Sequence, residues 1–215
     1  MSTVKAKSRA AAEYTWEVAR LYPEQGDWTA EQYFDLEDSR GGGQRIEFND
    51  GRLEFLPMPT RSHQRIIRFL LGLLEVFTAA HAPGEVLFAG MRVRLRVGRT
   101  IKFREPDLVY LRQEHSHRSH EEYWEGADLV MEVVSGSPED RERDLVEKVR
   151  DYAAGGVPEY WIIDPDKEVV RVLTLKGKKY KVRGEFHRGE EADSVLLQGF
   201  RVSVDKLFAS GTRNG

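Results

Sequence analysis

Apolar residues recur along this chain with two different periods, and the switches between those periods predict its elements. Ile66, Ile67, Leu70, Leu71, Leu74 and Phe77 share one stripe at helical spacing, which predicts a long amphipathic helix capped by Ser62 and ending near Pro83-Gly84. Met91, Val93, Leu95 and Val97 alternate with Arg92, Arg94 and Arg96, the period-two pattern of a strand with one polar face. Asn49-Asp50-Gly51 separates Arg45–Phe48 from Leu53–Met58 and predicts a hairpin. Upstream, Thr29 and Gln32 form a capping box for a short helix through Leu36.

Glu85–Ala89, Asp107–Leu111, Asp128–Val134 and Tyr160–Ile163 are further strand-like runs. Ser137-Pro138, with Asp140 at the capping-box position, opens a second long helix that Gly155-Gly156 stops. Glu168–Leu175 and Lys179–Arg183 predict a closing hairpin around Gly177. The order is hairpin, helix, strands, helix, strand, hairpin. It predicts an α/β fold in which helices flank one mixed central sheet.

One residue breaks this pattern. Glu132 interrupts Leu129-Val130-Met131 and Val133-Val134, a run that otherwise reads as a strand buried on both faces. An uncompensated buried carboxylate costs several kcal/mol, so Glu132 must be neutralised, paired with a cation or bound to a metal. Asp107 follows Pro106 and opens the apolar run Leu108–Leu111, which makes it a second acid of the same kind. On the following helix, Asp144, Lys148 and Tyr152 recur at i, i+4 and i+8 and share one face. Packed back on the sheet, that face meets the acidic pair, with Arg141 one turn earlier at the entrance. Such a set supports metal-assisted hydrolysis: Mg²⁺ takes hard oxygens, keeps waters and shares substrate phosphates. The Val133 carbonyl is a further candidate ligand.

Composition narrows the setting. The chain has 215 residues, 40% hydrophobic and 32% charged, which suits one globular domain with a real core. We expect an N-terminal arm over 1–28, a single domain over 29–208 and a tail over 209–215. A formal charge of -3 excludes a global field for nucleic acid, so any such contact rests on local basic patches. Arg92, Arg94 and Arg96, with Arg99, Lys102 and Arg104, form one patch suited to a phosphate backbone or to a solvated strand face. The chain has no cysteine, which excludes disulfides and thiolate chemistry and agrees with a cytoplasmic setting. Phe69–Phe77, the longest apolar stretch, is broken by Gly72 and Glu75 and is too short to span a membrane. His115, His117 and His120 lie in a polar segment without an evident fourth ligand and read as a loop rather than a zinc site.

Taken together, certain segments resemble a known pattern. Pro106-Asp107 followed by Glu132-Val133-Val134 is similar to the Pro-Asp…(Asp/Glu)-x-Lys signature of the restriction-endonuclease-like superfamily. Glu105-Pro106-Asp107-Leu108-Val109, Glu132-Val133-Val134-Ser135, Arg143–Lys148 through Tyr152, Gly156-Val157-Pro158-Glu159-Tyr160-Trp161 and Asp164-Pro165 resemble the Uma-type restriction-endonuclease family, a bacterial domain of unknown function. Glu47, Asp50-Gly51 and His63 also stand where that family places such residues, and the resemblance runs from about Thr29 to Phe208.

The resemblance implies a restriction-endonuclease-like core with added N-terminal and C-terminal hairpins, hydrolysing DNA phosphodiester bonds with Mg²⁺ or Mn²⁺. It implies Asp107 and Glu132 as metal ligands, to which the Val133 carbonyl is the further candidate. Val134 stands where the strict signature has lysine, and the family likeness assigns that role to Lys148. Glu47, His63, Asp144 and Tyr152 are expected as additional site members, and Arg92, Arg94, Arg96 and Arg141 as substrate contacts. Cutting both strands suggests a homodimer. A nuclease-fold module that binds nucleic acid or protein around an inert ion pair is the competing expectation.

Overall fold

A computed structural model describes residues 23–40 and 45–212, without the side chains of 37–40 and 139. Most of the expected N-terminal arm, the Gly41-Gly42-Gly43 run and the end of the expected tail lie outside the described residues. Helix α1 (Ala30–Arg40) precedes the hairpin β1 (Ile46–Asn49) and β2 (Arg52–Phe55), and then the long helix α2 (Arg61–His81). Strands β3 (Gly84–Phe88), β4 (Arg92–Val97), β5 (Thr100–Arg104), β6 (Leu108–Arg112), β7 (Tyr123–Glu125) and β8 (Leu129–Val133) follow. A helical segment crosses over as α3 (Pro138–Glu142), a π turn (Arg143–Glu147) and α4 (Lys148–Ala154). The chain closes with β9 (Glu159–Asp164), β10 (Val169–Lys176), β11 (Lys179–Phe186), β12 (Glu191–Asp193), β13 (Arg201–Ser203) and α5 (Val204–Gly211).

The class is the expected mixed α/β, but the strands divide between sheets. A six-stranded sheet runs β11-β10-β9-β8-β6-β3 and a five-stranded sheet β2-β1-β5-β4-β7, with β12-β13 as a separate ribbon. In the six-stranded sheet β8 and β9 are parallel and the other pairs antiparallel, because the helical crossover from β8 to β9 returns the chain in the same direction. Strand β5 was not expected. Its Thr-Ile-Lys-Phe-Arg alternation is short, and only pairing with β1 and β4 shows what each face meets.

Both faces of the six-stranded sheet are covered, which explains the uninterrupted apolar runs of β6, β8 and β9. On one face Leu108, Met131, Val133, Trp161 and Ile163 pack against Ile66, Leu70 and Leu74 of α2 and Leu207 and Phe208 of α5. On the other, Val109, Val130, Val134, Tyr160 and Ile162 meet Val93 and Leu95 of β4 and Tyr152 of α4. A smaller core holds Tyr33 of α1 with Ile46, Phe48, Leu53 and Phe103.

Local signals hold with adjustments. Asp50 and Gly51 have φ of 49° and 80°, the left-handed pair of a type I′ hairpin turn. A Cβ on Gly51 would come within 2.2 Å of the Gly26 carbonyl oxygen, so only glycine fits there. Helix α2 is capped by Thr60, whose hydroxyl accepts from the His63 amide, and not by Ser62. No helix among the described residues is long and apolar enough to cross a membrane.

Candidate active site

Strand alternation decides where the acids point. Leu108 pairs with Met131 and Val109 with Val130, and one further step of this antiparallel register brings Asp107 level with Glu132. Residues i and i+2 share a face, so Glu132 joins Val130 and Val134, and Asp107 joins Val109, on the side covered by the crossover helix. Asp107 is 3% and Glu132 2% exposed.

The helix supplies the counter-charge. Lys148 Nζ lies 2.9 Å from Glu132 Oε1, 3.3 Å from Asp144 Oδ1 and 3.7 Å from Glu47 Oε1. Tyr152 donates its hydroxyl hydrogen to the same Glu132 oxygen at 2.7 Å. The π turn ends at Lys148, whose amide bonds back to the Arg143 carbonyl, so an irregular turn of helix separates Asp144 from the lysine. Asp144 also accepts from the Ser135 amide at 3.2 Å, which ties the helix to the end of β8.

Asp107 is held by different partners. Its Oδ2 accepts from the Val133 amide at 2.9 Å and lies 3.1 Å from His63 Nε2. The same imidazole nitrogen is 3.1 Å from the Val133 carbonyl oxygen. Arg45 Nη1 is 3.4 Å from Asp107 Oδ1, while its Nε bonds Glu105 at 3.1 Å and its Nη2 bonds the Glu105 carbonyl. Arg45, His63, Asp107, Glu132, Asp144 and Lys148 together face a cavity of about 20 Å³, enough for a particle of about the size of water.

Behind the cavity lies a buried ion network. Arg104 has no exposed surface and donates to Glu47 at 2.7 Å, to Glu54 at 2.6 Å and to Asp151 at 2.7 Å. Lys102 reaches the other Asp151 oxygen at 2.6 Å. Glu47 accepts in addition from the Glu105 amide at 2.9 Å. Strand β5 thereby links the hairpin carrying Glu47 to the helix carrying Lys148.

Charge balance sorts the carboxylates. Burial pushes Glu132 up to about 7, and Asp107, Asp144 and Glu47 add to this against the opposing pull of Lys148. Burial also raises Glu105 to about 7 despite Arg45. Glu47 goes the other way: burial opposes its charge, but Lys148 and Arg104 outweigh it and hold the group near 2. Burial works against protonated His63 and is outweighed by the hydrogen bond and charge of Asp107, so its affinity for a proton is raised. Lys148 stays charged, since Glu132, Glu47, Asp144 and Asp107 together overcome its desolvation.

The Glu47 shift has a measurable consequence. Its folded pKa of about 2 lies below the ordinary 4.5, so its contribution is present above about pH 4.5 and is lost as the pH falls toward 2. The loss amounts to about 3 kcal/mol. Thermal melts across this range are expected to show a decline that Glu47→Gln flattens; parallel curves for the two proteins would remove the assignment.

The structure thus gathers Asp107, Glu132, Lys148, Glu47, His63, Asp144, Tyr152 and the Val133 carbonyl in one place. It does not bring the nominated arginines there. Arg92 stacks over Phe34 at 5.1 Å and bonds the Tyr33 hydroxyl, Arg94 pairs with Glu125 at 3.2 Å, and Arg141 with Asp164 at 2.6 Å. Arg96 does not line the cavity either. Arg45 and Arg143 were not nominated, and Arg104 was expected only as part of the basic patch. Alternation with Ile101 and Phe103 gave a signal for Arg104, whereas Arg45 carries none, since its partners lie 60 and 62 residues away.

The model of the Uma2 family, described as "Putative restriction endonuclease", matches residues 30–205. The chain belongs to the Uma2 family. No curated protein matches it. Among solved structures, an Anabaena variabilis protein described as a "putative nuclease belonging to DUF820" shares the fold, with a TM-score of 0.63 and 16% identity. The match covers 82% of this chain and 98% of that one. The Uma2 match includes every residue of the acidic cluster, from Glu47 on the hairpin to Tyr152 on α4.

Proposed function

We propose that this Uma2 protein is a divalent-metal-dependent endonuclease hydrolysing DNA phosphodiester bonds. The observation that carries the reading is convergence: Asp107 of the β6 strand end, Glu132 of β8 and Lys148 of α4 meet at one cavity from three separate elements. Among the described residues no three His, Asp or Glu side chains form a ready-made metal cage. Mg²⁺ does not require one, because it binds through one or two carboxylates and keeps several waters. Asp107, Glu132 and the Val133 carbonyl supply hard oxygens. Asp144 Oδ1, buried and without a hydrogen bond, is a further one.

Held by these oxygens, Mg²⁺ or Mn²⁺ would lower the pKa of a water and would offset phosphoryl charge. The protein's own groups do the rest. Lys148 donates to the attacking water and to the developing negative charge. Tyr152 fixes Glu132 through its 2.7 Å hydrogen bond. The Val133 amide fixes Asp107, and Arg45 faces the phosphate side of the cavity. One site cuts one strand, so double-strand cleavage calls for two copies.

The 2.9 Å Glu132–Lys148 pair also favours a second reading, an inert nuclease-fold module that binds nucleic acid or protein. Metal separates the two. Calorimetric titration with Mn²⁺ is expected to give binding in the wild type and none in Glu132→Gln or Asp107→Asn, together with Mg²⁺-dependent plasmid nicking. A wild type that takes up neither cation leaves only the inert module.

A further inference from the structure

Beside the acidic cavity lies a slot of different character. It is about 330 Å³ in volume and shares Arg45, Pro59 and His63 with the cavity. Its walls are Ile67 and Leu71 of α2, with Phe88 and Ala89 at the end of β3. Phe88 is 56% exposed, although it sits opposite the buried Leu108 and next to a residue tied to the site. The Ala89 amide donates to the carbonyl of Asp107 itself at 3.1 Å. Phe88 is thereby held one pleat from a catalytic carboxylate.

The rim is basic. Arg61, Arg65 and Arg68 fall at i, i+4 and i+7 on the outward side of α2, and no acid occurs between Arg61 and Leu74. Arg68 and Gln64 line the slot, and among the described residues the Arg68 side chain makes no ion pair. An aromatic ring, aliphatic walls, the Arg68 cation on one edge and Arg45 on the other match an aromatic ligand that carries phosphates on either side. Bases stack on aromatic side chains only when they are out of the duplex stack.

We propose that this slot takes an unpaired nucleobase adjacent to the phosphate held at the acidic cavity, so that the substrate is single-stranded or locally melted. The base stacks on Phe88, Gln64 meets its polar edge, and Arg68 and Arg45 take the flanking phosphates. The placement of that phosphate rests on the nuclease reading. A paired base cannot enter, since its edge is covered by its partner and its faces by its neighbours.

Fluorescence anisotropy in EDTA tests the slot without cleavage, using a labelled oligothymidylate, an abasic oligomer of the same length and a blunt duplex. The wild type is expected to bind oligothymidylate about tenfold more tightly than the abasic oligomer. Phe88→Ala should erase that difference and Phe88→Tyr restore it. Arg68→Ala should weaken both single strands equally. Because Phe88 is largely exposed, its truncation leaves the core intact. Equal affinity for base-bearing and abasic strands, tighter binding of duplex, or no effect of Phe88→Ala each overturns the slot. Plasmid cleavage with Mg²⁺ is read on the same preparations. Cleavage without Phe88-dependent binding overturns the slot and keeps the nuclease, whereas Phe88-dependent binding without cleavage keeps the slot and removes the nuclease.

Discussion

Lys148→Met is expected to lower Mg²⁺-dependent plasmid cleavage by about 10²–10³-fold, the cost of removing one preorganised donor from developing charge. Methionine keeps most of the aliphatic stem, so the variant removes the ammonium rather than the volume. The informative readout is the split between cleavage and metal binding. Lys148 Nζ lies on Glu132 Oε1 at 2.9 Å and competes with a cation for that carboxylate. Its loss is therefore expected to leave Mn²⁺ affinity unchanged or tighter while the rate falls. A rate at the wild-type level would take Lys148 out of the mechanism. Joint loss of metal binding and cleavage would recast it as a residue that positions the carboxylates.

Arg104→Met is expected to destabilise the fold by about 3–5 kcal/mol, because it removes the cation that Glu47, Glu54 and Asp151 share and leaves buried Glu47 and Asp151 with only Lys148 and Lys102. Glu47 and Asp151 are buried and both depend on this guanidinium, and Glu54 adds a third bond. For a chain of this size the loss corresponds to a drop in melting temperature of about 6–20 °C. Adding Glu47→Gln to Arg104→Met should return part of it, since the neutral amide needs no cation. A melt within a degree or two of wild type would show that the network is satisfied without Arg104. The two predictions meet in space: Arg104 joins the Glu47 hairpin to Asp151, one turn of α4 beyond Lys148. A loosened network is therefore expected to lower cleavage even below the melting temperature.

Much of this site is written in local pattern. Glu132 stands out because strands buried on both faces have no room for a lone charge, and the structure gives it a cation and a phenol. The i, i+4, i+8 spacing of Asp144, Lys148 and Tyr152 puts them on one face in spite of the intervening π turn. Asn49-Asp50-Gly51 sets the hairpin that carries Glu47, because the turn needs positive φ at two successive residues. The Uma-type resemblance adds Glu47 and His63, which no periodicity singles out.

Other parts have no local trace. A basic strand reads alike whether its arginines meet solvent, an aromatic ring or an acid. Arg92, Arg94 and Arg96 were thus expected at a phosphate backbone, yet Arg92 lies over Phe34 and Arg94 on Glu125. The division into two main sheets was equally hidden, since alternation specifies a strand's faces but not its neighbour. Periodicity and the cost of buried charge were enough to predict the long helix α2, the hairpins and the strands that carry or adjoin Asp107 and Glu132, and that a buried Glu132 needs compensation. Which cation each acid received, and that Phe88 opens a slot beside them, was decided by pairing between residues far apart in sequence, because Coulomb and packing energies depend on distance in space and not along the chain.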